Sequence, residues 1–300
     1  MPTSEPAPGD EARRYRTGVI CLVTATFFTS LAGVLVRLVE AAGGWEILFY
    51  RSLAFVAAML LFIVYRHRGG TVAAFTAGGA TGLALSLFLT AAFILFIFAL
   101  LKTTVANVVF TVSLSPFFAA LFAWLSMREA VARATLAAMA LSLVGIGLMF
   151  GDGLASGTLT GNVLALACCL CYSAALVAMR KGRAVDMIPA VCLAGVGTAV
   201  IAAAMVPSFA ISRHDLNVAI VLGVVQLALQ YVLIATGTRF VPAAEVALIG
   251  RLTLIMAPLW VWIAVGEVPS ALGMAGGAVI LLAVTGQGVF ALRRARRAVA

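Results

Sequence analysis

Carboxylates and imidazoles are scarce in this chain. Its 300 residues hold 11 Asp and Glu and 2 His, against 20 Lys and Arg. General acid–base catalysis draws mainly on those scarce side chains. His67 and His214 lie in polar stretches between apolar runs. No pair of carboxylates and no Ser/His/Asp catalytic set is read in the chain. An integral-membrane enzyme is therefore the weaker alternative from a different class. No glycine-rich phosphate loop occurs, so no built-in nucleotide drive is visible. Cysteine is sparse too, and the Cys168-Cys169-x-Cys171 cluster has no histidine near it in sequence. It reads as polarisable packing rather than a metal site. No metal or other cofactor is expected.

Charge of either sign is thin. Only 10% of residues are charged and 64% are hydrophobic, whereas a soluble domain has about 25% charged. Mean hydropathy is +1.15. No water-exposed domain of this length hides so much apolar surface, so a lipid bilayer is the solvent for most of the chain. The net charge of +9 would suggest nucleic acid in a soluble protein. Here the basic residues cluster beside apolar runs and act as a topology signal, and no nucleic-acid partner is expected.

What is present is a series of ten apolar runs, at 17–37, 46–65, 73–100, 104–127, 134–150, 161–180, 187–206, 217–236, 243–265 and 270–291. Each is near the roughly 20 residues a helix needs to cross the hydrocarbon. With the N-terminus inside, fifteen of the 20 Lys and Arg fall on the inner side and three (Arg37, Lys102, Arg213) on the outer side. Arg51 and Arg251 lie within runs. That asymmetry predicts that both termini are cytoplasmic.

The chain also repeats itself. Glu129 pairs with Glu267, an offset of 138 (267 − 129), and Ala106 with Ala244, Leu114 with Leu252 and Leu143 with Leu281 follow at the same offset. Earlier parts of the halves match at a slightly larger offset, as Arg37 does with Arg180. Five spans per copy is an odd number, so the copies lie inverted in the membrane. The predicted fold is an all-α integral membrane protein, with ten transmembrane helices as two inverted five-helix repeats. The predicted organisation is a cytoplasmic tail at 1–16, repeats at 17–150 and 161–291, and a basic tail at 292–300. Inverted repeats commonly build a moving substrate site at their seam, so transport of a small molecule by alternating access is the leading functional reading.

Arg251 stands eight residues into the ninth run, about 12 Å from its end at 1.5 Å per residue. A charge at that depth needs water or a partner. Its guanidinium suits a substrate carboxylate. The alternative is a structural arginine satisfied by backbone carbonyls or by Glu245, which lies six positions away on a poorly matched helix face. Gln226 and Gln230 share a face of the eighth run beside Tyr231, either to hold the polar end of a solute or to bond between helices. Thr24, Phe28, Thr90, Phe93, Thr111 and Tyr172 are further lining candidates, with rings that suit an apolar side chain. Arg51 reads as an arginine that snorkels or pairs with Glu46 one turn away. Pro116 and Pro258 are candidate hinges in the fourth and ninth runs. Gly78-x-x-x-Gly82 fits packing within a bundle, and Gly273-x-x-x-Gly277 fits a dimer seam. A monomer and a homodimer both remain open.

The order and spacing of Arg51, Ser115-Pro116-Phe117-Phe118 with Glu129, and Ala257-Pro258-Leu259 with Gly266-Glu267 resemble the drug/metabolite transporter superfamily. The match is to its EamA-type ten-helix exporters, and most of all to the YddG amino-acid exporter group. Met127-Arg128-Glu129 departs from the usual Leu-Gly-Glu. The resemblance implies that spans one, three, four, six, eight and nine line a central cavity, in a protein of the bacterial inner membrane that exports neutral and aromatic amino acids. Another organic solute, whether a cationic drug or a phosphorylated or nucleotide-linked metabolite, is the alternative cargo. No acidic residue falls clearly at mid-membrane, which favours transport down the solute's own gradient without ion coupling.

Overall fold

The computed structural model describes residues 8–128 and 133–299, and every regular element there is helical. The first half comprises α1 (Pro8–Ser30), α2 (Ala32–Arg37), α3 (Gly44–His67), α4 (Thr71–Ala77), α5 (Gly79–Lys102), α6 (Val105–Val112), α7 (Ser115–Met127) and α8 (Arg133–Ser156). The second comprises α9 (Leu159–Lys181), α10 (Ile188–Met205), α11 (Arg213–Val221), a π-helical stretch Leu222–Leu229, α12 (Gln230–Gly237), α13 (Ala243–Gly250), α14 (Thr253–Val265) and α15 (Ala271–Val299). Together they form ten helices long and apolar enough to cross a membrane, from Glu11–Arg37 to Ala271–Gly288. An even number of crossings returns the chain to its starting side. We call that side the terminal face, and the side bearing Arg37 the far face.

Several ends differ from the sequence expectation. The first helix begins at Pro8 rather than 17, and α15 runs on to Val299 through the stretch expected as a basic tail. The long third run divides at Gly78, because Gly79 takes a left-handed φ of 50° that glycine adopts at low cost. Glu129 lies outside the described residues.

Two helices break inside the membrane at equivalent places. The fourth span is interrupted at Ser113–Leu114, between α6 and α7, and the ninth at Arg251–Leu252, between α13 and α14. The interval from 113 to 251 is again 138 (251 − 113). The prolines mark these breaks unequally. Pro116 stands in the first turn of α7, where its missing N–H costs nothing. Pro258 lies inside the continuous α14, seven residues beyond the ninth-span break (258 − 251). Loop chemistry sets other ends. The Thr104 hydroxyl accepts the Asn107 backbone N–H and starts α6; the Ser212 hydroxyl accepts that of Asp215 and starts α11. Gly266, at φ 69°, ends α14.

Packing ties the copies together. Asp215, 1% exposed, accepts the backbone N–H groups of Glu40 (2.9 Å), Ala41 (3.1 Å) and Ala42 (2.9 Å). This pins the connection before α3 onto the start of α11. Gly145 and Gly276 bring α8 and α15 into backbone contact: a methyl on either would lie within 2.7 Å of the other's carbonyl oxygen. Gly82 faces Ala190 within the bundle, as the first glycine motif predicts. The second glycine motif does not form a free dimer seam. A methyl on Gly277 would strike the Phe110 ring, and one on Gly273 would meet the Asn107 side chain, so this motif seats α15 against α6 of the same chain. Phe55, Ile47, Leu48 and Ile63 of α3 are fully buried, each contributing about 1.5–3 kcal/mol relative to exposure.

Candidate functional site

The packed helices leave a cavity of about 370 Å³ at the seam between the copies. Of the candidate binding residues, Arg251, Gln226, Gln230, Tyr231, Tyr172 and Phe93 line it, and so does Pro116, a candidate hinge. Thr24, Phe28, Thr90 and Thr111 do not line it. On α1 the residue facing the cavity is Thr29; Thr24 is five residues away and Phe28 one, so both point well round the helix at about 100° per residue. The Phe28 ring instead meets Phe27 edge-on at 5.8 Å. Thr90 turns to α10, donating to the carbonyls of Ser86 (2.8 Å) and Ala194 (3.1 Å). Thr111 is buried within α6 away from the cavity.

Arg51 corrects the sequence reading. It neither snorkels nor pairs with Glu46. It is 2% exposed and lines the cavity. Glu46 is five residues before it, roughly 140° round the helix, so the two do not share a face. The Arg51 guanidinium lies 5.7 Å from the centre of the Phe93 ring, a cation–π distance. Its Nε and Nη1 are buried without a hydrogen-bond partner. Among the described residues the cavity therefore holds two cationic side chains, Arg51 and Arg251. The second span contributes through Arg51 and the tenth through Val284, beyond the six spans the resemblance implies.

The π-helical stretch sets the geometry beside Arg51. Gly223 presses on the Arg51 carbonyl oxygen, which an added methyl would approach to 2.3 Å. Such wide turns recur at functional sites because they re-aim side chains within a helix. Here Gln226 and Gln230 come to the cavity, with Gln226 Nε2 donating to Gln230 Oε1 at 3.5 Å. Gln226 is 4% exposed, and its Oε1 is buried without a partner. Unsatisfied donors on Arg51 and an unsatisfied acceptor on Gln226 thus face the same space. A buried polar group left unpaired costs about 1–3 kcal/mol.

Access differs at the two ends. Toward the far face the lining residues Leu100 and Ala257 are buried, as are Val36, Val105, Val108 and Val261 packed with them. A polar latch closes the same end. Arg37 Nε donates to Glu267 at 2.6 Å, and its two Nη groups donate to the carbonyls of Leu100 (2.6 Å) and Thr103 (2.7 Å). Glu267 also accepts the Val105 N–H at 2.7 Å. Toward the terminal face Ala247, Gly250 and Pro116 line the cavity and are exposed. The cavity opens there. At that face the Tyr15 hydroxyl donates to Glu245 at 2.5 Å, which commits Glu245 to a partner other than Arg251.

Ten spans in a duplicated order, with a half-open, largely apolar cavity carrying a few polar groups at their seam, define a membrane carrier. The chain belongs to the EamA-like transporter family, whose model matches residues 16–151 and 159–286, one copy in each half. It is thus a membrane transporter of the drug/metabolite transporter superfamily. A solved structure described as "Crystal structure of protein" is 19% identical to it, covering 97% of this chain and 100% of that one with a TM-score of 0.61. At that identity the likeness concerns the fold. No curated protein matches the chain.

Proposed function

We propose that this transporter exports amino acids across a bacterial inner membrane, with both termini in the cytoplasm, by alternating access and without ion coupling. One observation carries the reading: the free donors of buried Arg51 and the free acceptor of buried Gln226 face one cavity. An α-amino acid brings the complementary pair. Its carboxylate takes the Arg51 N–H groups, and its ammonium donates to Gln226 Oε1. Phe93, Tyr172 and Tyr231 then offer rings to the side chain, which suits the neutral and aromatic members expected from the sequence. The basic bias of the terminal side supports the orientation.

In the mechanism, solute enters from the terminal face, where Ala247 and Gly250 leave the path open. Its binding satisfies Arg51 and Gln226 and lowers the cost of closing that end. Separation of Arg37 from Glu267 then opens the far face. The breaks at 113–114 and 251–252 are the places where α6 and α13 can pivot on α7 and α14.

The test is counterflow of labelled amino acids in proteoliposomes of purified protein, with Arg51→Gln and Gln226→Leu. The reading expects saturable amino-acid exchange that both replacements weaken, Arg51→Gln the more. Exchange of organic cations but not amino acids would overturn it. A pH-gradient requirement would remove the uncoupled mechanism alone.

A further inference from the structure

A neutral amino acid leaves one part of this cavity unmatched. Arg251 lines it together with Arg51, and its Nη1 is also buried without a partner. No Asp or Glu is among the described residues that line the cavity. The position is shaped to hold a guanidinium. A methyl added at Gly288 of α15 would fall 1.7 Å from Arg251 Nη1 and 2.4 Å from its Cζ, so α15 provides a notch that only glycine leaves open. Seven residues separate Arg51 from the far-face start of α3, and eight separate Arg251 from the terminal-face start of α13. In a span about 30 Å thick this sets their backbones about 8 Å apart along the membrane normal. Two arginine side chains can narrow that to the length of a short dicarboxylate.

We infer that Arg251 is a second anion subsite, and that the preferred cargo is a dicarboxylic amino acid, with its α-carboxylate at Arg51 and its side-chain carboxylate at Arg251. This rests on the amino-acid reading above and shifts its preferred member from neutral and aromatic side chains to acidic ones. With a neutral amino acid, one guanidinium keeps its uncompensated charge and buried donor. With an acidic one, both cations gain a carboxylate, and the ammonium still meets Gln226. A basic amino acid would set its side-chain ammonium beside Arg251 and is rejected.

The experiment is competition in proteoliposomes against labelled glutamate, using glutamate, glutarate, leucine, phenylalanine and ornithine as competitors. A charge-assisted pair gained only by the acids predicts that glutamate competes about 10- to 100-fold better than leucine or phenylalanine. Ornithine should be the weakest competitor. Arg251→Gln should collapse the ratio of acidic to neutral affinity toward one. Gly288→Ala, which displaces the guanidinium without removing it, should lower the same ratio; thermal unfolding of each purified variant checks that it is folded. Equal or better competition by leucine or phenylalanine in the wild type overturns the second subsite while leaving the amino-acid reading intact. An equal loss for acidic and neutral solutes in both variants overturns it as well. Absence of exchange for every amino acid would remove both proposals together.

Discussion

Replacing Glu267 with glutamine should tip the carrier toward the state open at the far face. Glu267 holds two bonds in this state, closed at the far face, accepting from Arg37 Nε at 2.6 Å and from the Val105 N–H at 2.7 Å. The two side chains of the ion pair are 24% and 17% exposed. They are thus more protected than a surface pair, worth about 0–1 kcal/mol, yet not fully buried. Hydrogen bonds to a charged group contribute about 1.5–3 kcal/mol each. Glutamine keeps one acceptor, and Arg37 keeps its bonds to the Leu100 and Thr103 carbonyls. The net loss is therefore about 2 kcal/mol, or about a 30-fold change in the closed-to-open ratio. A single cysteine at Val109, which lines the cavity, reports that ratio in a background with the five native cysteines replaced. An impermeant thiol reagent applied from the far face should modify it about 30-fold faster in Glu267→Gln than in the parent. An unchanged or slower rate would show that the latch does not hold the closed state, and the pivoting mechanism would lose its far-face gate.

Two further outcomes follow from the same contacts. Arg51→Gln should raise the thermal midpoint in the absence of solute, because a buried charge with unpaired donors is removed, and added amino acid should no longer raise it as it does in the wild type. A lower midpoint without solute would mean that Arg51 holds the fold rather than the cargo. Asp215→Asn should destabilise the protein by about 2–4 kcal/mol, since three backbone N–H groups lose an anionic acceptor. Transport per folded molecule should stay within about twofold, and a much larger loss would place this clamp in the gate.

The ten crossings and the duplication were legible because hydropathy and a constant offset are properties of the chain itself. The breaks were legible only in part. Prolines drew attention to 116 and 258, yet the ninth span breaks at Arg251–Leu252, at the offset the repeat already supplies from Ser113–Leu114. Neither break contains a proline or glycine to announce it. Arg51 was misread because Glu46 is close in sequence, although a separation of five residues turns the two side chains apart. The Arg37–Glu267 latch joins residues 230 apart, and no local spacing signals such a pair. Gln226 and Gln230 were found from their i, i+4 spacing, although the helix there is wider than an α-helix. Thr24 and Phe28 lie on the same helix as Thr29 but five residues and one residue away from it, and no local pattern marks which side of α1 meets the cavity.

The equivalence of Ser113 and Arg251 has a consequence for vectorial behaviour. If each copy adopts its sibling's shape in the alternate state, the mouth on one side is guarded by a guanidinium and the mouth on the other by a hydroxyl. A negatively charged cargo is then captured at low concentration from the arginine side and let go readily from the serine side. Such lopsided half-saturation leaves the final equilibrium untouched. It does make one direction of flow efficient at modest cargo levels, the property that a cell needs in an overflow valve.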